Sequence, residues 1–157
     1  RSLSFVAKKQ GGTLERSRTV DEVYDREKTL KLDGLKIYRD FACNVQKYRD
    51  KLRLSLKMAR AGGKRVWAIG ASTKYNVLHQ YCRIDSDLTE TIGEVKPDEI
   101  GCYTPGTNIP IFDETDLLHI QPDYIRVLPW HFRKFFEAQP RDAGHNLIFP
   151  LPKLSVR

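Results

Sequence analysis

The sequence predicts an α/β protein: a three-layer, Rossmann-like domain with a mostly parallel sheet of about five strands, preceded by a long amphipathic helix. Two observations support this prediction. From Lys64 onwards, short apolar runs alternate with helical patterns, an order typical of a parallel sheet with helices on both faces. Before them, apolar residues recur at helical spacing over more than twenty positions, which indicates one long helix.

The long helix follows from a stripe that runs from Leu35 to Ala59 in steps of three or four residues. This spacing places the stripe on one helical face, and the pair Gly62 and Gly63 is a typical helix terminator. At about 1.5 Å per residue the helix would be about 40 Å long. We expect it to cover the core, or to connect to a neighbouring domain and pack against it as well.

The other elements follow from shorter patterns. Thr19 or Asp21 is the predicted cap of a short first helix, and the polar stretch ending in Gly11 and Gly12 indicates a linker. Further helices are predicted at residues 76–81, 113–120 and 130–138. Strands are predicted at residues 2–7, 66–69, 91–95, 109–111, 124–128 and 146–149.

Composition limits the classes of protein to consider. With 40% hydrophobic and 30% charged residues, the chain has the composition of a soluble globular domain, and no apolar run approaches the length of a membrane span. The three cysteines, Cys43, Cys82 and Cys102, have no metal-ligand spacing. We therefore expect no metal site, a reduced cytoplasmic setting, and small buried side chains at all three positions.

The net charge of +7 favours anionic partners such as phosphorylated small molecules or nucleic acid, although it could serve solubility alone. Nucleic acid is the less expected partner, because aromatic residues are not interleaved with Lys and Arg in a stacking pattern. A membrane partner is not expected.

The strongest local signal is the turn of small residues after the first strand. Gly70 opens it, and the helix that follows presents free backbone N–H groups to a phosphate. Ser72 and Thr73 add hydroxyl donors and Lys74 adds a positive charge. The turn lacks two glycines of the dinucleotide-binding fingerprint, so a plain strand-to-helix turn is the alternative.

Three further residues are predicted at the same edge of the sheet, where open α/β sheets bind ligands. Glu94 ends the second strand 24 positions after Gly70 and is a candidate for the ribose hydroxyls. Trp130 could stack on a base or sugar, and His131 could donate to a phosphate or base. The alternatives are an exposed strand-end charge for Glu94 and a core Trp beside a helix-capping His. His79, His119 and His145 are interpreted as structural or surface residues.

Several segments in their order and spacing resemble one known family, over about residues 2–152. They are Val66-Trp67-Ala68-Ile69-Gly70-Ala71-Ser72-Thr73-Lys74, Glu94-Val95, Gly101-Cys102-Tyr103-Thr104-Pro105-Gly106-Thr107, Pro122-Asp123-Tyr124, Pro129-Trp130-His131-Phe132 and Phe149-Pro150-Leu151-Pro152. The chain resembles the carboxy-terminal domain of S-adenosylmethionine-dependent sugar-nucleotide C-methyltransferases.

The resemblance implies that this domain holds the nucleotide-sugar, carried on dTDP or a similar nucleotide. Cofactor binding and catalysis would belong to a central methyltransferase domain absent from this chain, so the isolated chain would bind no S-adenosylmethionine and would be inactive. The implied parts are residues 1–12 as a remnant strand of that domain, 13–63 as a helical linker with the long helix, and 64–157 as the Rossmann-like domain. No catalytic residue is predicted. The predicted nucleotide-sugar contacts are Gly70, Ser72, Thr73, Lys74, Asn76, Glu94, Thr104, Thr107, Trp130 and His131.

This chain departs from the family at Tyr75, where Gly is usual, and at Lys96, where Asn is common. Tyr75 is expected to crowd the helix–strand contact and partly close the phosphate pocket, or else to stack on a ligand base. Two other functions remain open from the residues themselves: an NAD(P)-binding oxidoreductase domain, and a non-catalytic interaction module that uses the long helix and the basic surface.

Overall fold

The computed structural model of the protein describes residues 4–71, 73–139 and 145–157, and the side chains of residues 73, 74 and 118 lie outside that description. The chain divides into two compact units, Arg1–Asn44 and Val45–Arg157. The boundaries expected after residues 12 and 63 stay a prediction. No helix in the described ranges is both long and apolar enough to cross a membrane.

The first unit contains helix α1, Arg18–Thr29. Its N-cap is Ser17, whose hydroxyl oxygen accepts from the backbone N–H of Thr19, so the predicted cap at Thr19 or Asp21 is wrong. Asp21 lies instead in the first turn, where the helix dipole favours a carboxylate, and it pairs with Arg16 at 2.6 Å. Residues 4–7, the described part of the strand predicted at residues 2–7, are not in a strand, so that prediction is wrong for them. Residues 2 and 3 lie outside the described ranges.

Helix α2, Leu35–Ala61, confirms the prediction of one long helix. Gly63, at φ +71°, follows its end and adopts the left-handed conformation that glycine tolerates. In the second unit Leu52 and Leu56 are the buried residues of this helix. They pack with Val66, Cys82 and neighbouring residues in one core cluster.

The sheet lies in the second unit and has six strands among the described residues, in the order β3-β2-β1-β4-β5-β6. Neighbours from β3 to β5 pair in parallel, and β6 pairs antiparallel with β5. The mostly parallel sheet is therefore confirmed, and the short edge strand β6 is an addition. The strands are β1 Val66–Ile69, β2 Ile92–Glu94, β3 Ile111–Asp113, β4 Tyr124–Val127, β5 Asn146–Phe149 and β6 Ser155–Val156.

Helices cover the sheet on both faces. On one face α2 and α3 (Thr73–Cys82) pack on strand residues such as Val66 and Ile148. On the other, α5 (Arg133–Ala138) packs through Phe136 on residues of β1, β4 and β5. Helix α4, Glu114–His119, is capped by Asp113 and follows β3. Short 3-10 turns at Pro97–Glu99 and Trp130–Phe132 complete the elements.

The three cysteines are free, and only Cys82 is buried. The expectation of burial is wrong for Cys43 and Cys102, which are exposed. Cys82 faces the core because it lies on the side of α3 that packs with Leu52 and Leu56.

We predict that Leu56→Ala lowers the free energy of unfolding by about 2–5 kcal/mol, because the fully buried side chain leaves a cavity between α2 and the sheet. Leu54→Ala on the same helix is the matched control: its side chain is 59% exposed, and its cost should stay within about 0.5 kcal/mol. Urea unfolding measures both, and equal costs would show that α2 does not pack as described.

Candidate functional site

The candidate site lies at the carboxyl edge of the sheet, where strand order reverses around β1. Because β1 pairs in parallel with both β2 and β4, the turns that follow these strands meet at one edge, the usual ligand position in such sheets. Gly70, at φ +83°, begins the turn after β1, and a Cβ on it would lie 2.7 Å from Pro129 Cδ. The turns after β1 and β4 therefore touch, and only glycine allows that approach.

Tyr75 fills the space next to this contact. Its side chain is 3% exposed, its ring meets Trp130 edge-on with centroids 5.0 Å apart, and its hydroxyl lies 3.3 Å from His131 Nδ1. Burial also raises the pKa of the Tyr75 phenol. The crevice between the ends of β1 and β4 thus holds protein side chains, and the ligand contacts of Trp130 and His131 stay predictions.

A cavity of about 280 Å³ opens between α3 and the segment that connects β2 to β3. Its floor is apolar and its polar groups come from the two walls. Gln80 Nε2 donates to the Pro105 carbonyl at 3.0 Å and ties one wall to the other. The lining residues are Ala71, Tyr75, Asn76, His79, Ile92, Lys96, Glu99, Thr104, Pro105, Ile111 and Leu128.

The structure brings two of the predicted contact residues, Asn76 and Thr104, into this lining. The hydroxyl of Thr107 is hydrogen-bonded to that of Thr104, with 2.7 Å between the two oxygens. The Thr104 oxygen also accepts from the backbone N–H of Ile109 at 2.9 Å. These bonds fix the loop that forms one wall. Ser72 lies outside the described residues, as do the side chains of Thr73 and Lys74.

Glu94 lies at the end of β2, as predicted, but its carboxylate faces its own backbone. It is 4% exposed, and Oε1 accepts from the N–H groups of Val95 at 2.8 Å and Lys96 at 3.2 Å. Glu94 therefore stabilises the turn after β2. The cavity lining carries instead an ion pair of Lys96 and Glu99 at 2.8 Å, and this hydrogen bond raises the pKa of Lys96.

Sequence reasoning missed a buried polar pair beneath the cavity. Arg126 on β4 is fully buried, and its Nη2 lies 2.7 Å from His79 Nε2 on α3. Its Nε and Nη1 atoms have no hydrogen-bond partner, and no salt bridge to it exists within the described residues. The only sequence signal is a charged residue in the middle of an apolar strand.

Burial sets the protonation of this pair. It lowers the pKa of Arg126 to about 10, which leaves the guanidinium charged at neutral pH. Burial and the nearby Arg126 charge lower the pKa of His79 to about 2, so the imidazole is neutral. Because a guanidinium only donates hydrogen bonds, His79 Nε2 accepts and its proton sits on Nδ1. That Nδ1 is buried, and no described group is hydrogen-bonded to it.

Comparison with known proteins gives the family. Residues 2–152 match the family described as the C-methyltransferase C-terminal domain. The chain belongs to this family. The resemblance seen in the sequence is thereby confirmed.

The C-methyltransferase NovU from Streptomyces niveus is 26% identical over 140 residues, which cover 87% of this chain and 33% of NovU. The chain therefore spans about a third of the length of that relative. Within this C-methyltransferase C-terminal domain, the cavity beside α3 is the candidate site.

We predict that Gly70→Ala destabilises the domain more than Gly101→Ala does. Both glycines have φ near +82°, but a Cβ at Gly101 meets nothing within 4 Å, whereas at Gly70 it meets Pro129. Gly101→Ala should cost about 1–2 kcal/mol of backbone strain, and Gly70→Ala about 1–3 kcal/mol more for the steric overlap. Chemical unfolding measures both variants, and an equal loss would argue against contact between the two turns.

We predict that His79 makes the domain less stable as pH falls from 7 to 5. The unfolded chain binds a proton at His79 near its ordinary pKa of about 6.5, whereas the folded chain does not until about pH 2. Stability is therefore full above about pH 6.5 and declines below it, by about 2 kcal/mol at pH 5.

His79→Leu should flatten the profile in this window, whatever its effect on absolute stability. Three carboxyl groups also have a lowered pKa, those of Glu90, Asp113 and Asp123. They affect stability only at pH values near or below their ordinary pKa values of 4.5 and 3.8. They therefore do not account for a loss of stability above pH 5. Urea unfolding across pH 5–7 provides the test, and an unchanged slope in His79→Leu would refute a neutral, buried His79.

Proposed function

We propose that this domain holds the nucleotide part of a sugar-nucleotide substrate for a C-methyltransferase that uses S-adenosylmethionine and works in the cytoplasm. The observation behind the proposal is the cavity at the carboxyl edge of the sheet. Its walls contain buried polar atoms of Asn76 and His79 that have no hydrogen-bond partner among the described residues. Such atoms are rare in folded proteins and call for a ligand group or ordered water.

The charge around the cavity mouth favours phosphates. The backbone N–H groups at the start of α3 point towards this edge, as at other phosphate-binding helix ends. Lys96 and Glu99 both line the cavity and form an ion pair, and the Lys96 side chain remains 61% exposed, so it is accessible to a phosphate. The net charge of +7 adds a long-range attraction for anions.

The described residues do not fit S-adenosylmethionine itself. An acidic residue after the second strand usually takes the ribose hydroxyls of an adenosine cofactor, but here Glu94 is buried against its own backbone. Tyr75 and Pro129 occupy the crevice between β1 and β4. We therefore assign the cofactor to a separate methyltransferase domain, the proposed partner of this one.

The histidine of the cavity is not a suitable base. Methyl transfer to a carbon beside a ketone requires removal of a proton by a group whose pKa is near the working pH. His79, the histidine in the cavity lining, has its pKa held at about 2. We therefore assign catalysis to the methyltransferase domain, and we expect no methyl transfer from this chain alone.

We predict that the chain binds nucleoside diphosphates, and that Lys96→Glu weakens binding about fivefold through the reversed charge at the mouth. Lys134→Glu is the matched control, since it changes the net charge equally from an exposed position on α5. Isothermal titration with dTDP, UDP, GDP and ADP measures the affinities.

Two outcomes would count against the proposal. Absence of binding to all four nucleotides would contradict it directly. Tighter binding of NADH than of any nucleoside diphosphate would favour a dinucleotide-binding oxidoreductase domain instead.

A further inference from the structure

Two buried polar atoms of the cavity wall have no partner in the part of the chain that the structure describes. They are His79 Nδ1 and Asn76 Oδ1, and both residues line the cavity. They lie three positions apart on α3, so they project from the same helix face. The lining of one cavity thus contains a buried hydrogen-bond donor and a buried acceptor that no described group satisfies.

Arg126 fixes the donor. Its guanidinium N–H donates a hydrogen bond to His79 Nε2 at 2.7 Å, so the single N–H proton of the neutral imidazole lies on Nδ1. The other titratable groups near Arg126 are Tyr48 on α2 and Cys82 on α3, and burial raises the pKa of both. Both are therefore neutral at neutral pH, and neither supplies a carboxylate that would draw Arg126 away from His79.

Position along α3 separates this pair from the phosphate end. The helix after a parallel strand runs back from the carboxyl edge, and His79 comes six residues after the first residue of α3, about 9 Å along its axis. The cavity floor consists of apolar side chains from Ile92, Ile111 and Leu128. The region around His79 therefore suits a flat, uncharged ring better than a phosphate.

The volume of the cavity also supports placing only part of the ligand around His79. The cavity of about 280 Å³ lies just below the range of about 300–1,000 Å³ typical of sites that enclose a drug-sized ligand. It suits one end of a nucleotide-sugar rather than the whole molecule.

We propose that Asn76 and His79 bind the base of the nucleotide, with Arg126 as the positioning residue that keeps His79 a neutral donor. His79 Nδ1–H donates to a carbonyl oxygen or ring nitrogen of the base, and Asn76 Oδ1 accepts from a neighbouring N–H. The phosphates lie towards the start of α3 and Lys96. This inference rests on the proposed function and specifies which part of the ligand each end of the cavity takes.

The first test needs no ligand. In ¹⁵N-labelled wild-type chain, the His79 ring should give the NMR signature of a neutral imidazole protonated at Nδ1 throughout pH 5.5–8. The variant Arg126→Met replaces the guanidinium with an apolar side chain of similar length. This NMR signature should change in the variant, because the hydrogen-bond donor to His79 Nε2 is lost. A protonated ring, or the Nε2–H form in the wild type, would overturn the proposal.

The second test separates the base from the phosphates. Asn76→Ala leaves the His79–Arg126 contact intact and should weaken the tightest-binding nucleotide among dTDP, UDP, GDP and ADP about fivefold, through one lost hydrogen bond. His79→Leu should have an effect of similar size. Inorganic diphosphate should perturb backbone amide signals at the start of α3, and neither variant should change that perturbation.

The outcomes distinguish this inference from the proposed function. If the wild type binds a nucleotide and neither variant weakens it, the base lies elsewhere and the inference fails while the function stands. If the variants reduce the diphosphate response as much as nucleotide binding, phosphate occupies the inner end and the inference fails in the same way. If no nucleotide binds to the wild type, both fail.

Discussion

The parallel pairing of β1 with a strand on each side is the constraint on which the site depends. It brings the turns after β1 and β4 to the same edge, and Gly70 lets them touch at Pro129. With the start of α3 fixed there, the helix must run back along the sheet opposite the β2–β3 connection. The cavity is the space left between these two walls.

The buried Arg126 is the least expected part of this arrangement, because an unpaired buried charge is costly. In other proteins, apolar residues of similar volume often replace buried ionic groups without loss of stability. The proposed role in fixing the proton of His79 would account for its presence below the cavity. Tyr75 lines the same cavity and also contacts Trp130 at the crevice between the ends of β1 and β4.

The features that depend on local patterns were predictable from the sequence. The apolar stripe from Leu35 predicted helix α2 and where it ends, and the alternating apolar runs predicted the parallel sheet and its carboxyl edge. Contacts between distant residues were not predictable: His79 and Arg126 are 47 positions apart, and the helix pattern gave no sign that His79 is buried. The hydrogen bonds from the backbone N–H groups after β2 to the Glu94 carboxylate depend on the geometry of that turn. The pairing of β6 with β5 depends on the path of the chain between them.

A crystal structure of the chain with its tightest-binding nucleoside diphosphate tests the central claim most directly. The account predicts the nucleotide between α3 and the 103–111 segment, with the base within hydrogen-bond distance of His79 Nδ1 and the phosphates near Lys96. A nucleotide bound in the crevice between the ends of β1 and β4, or outside the cavity altogether, would contradict it.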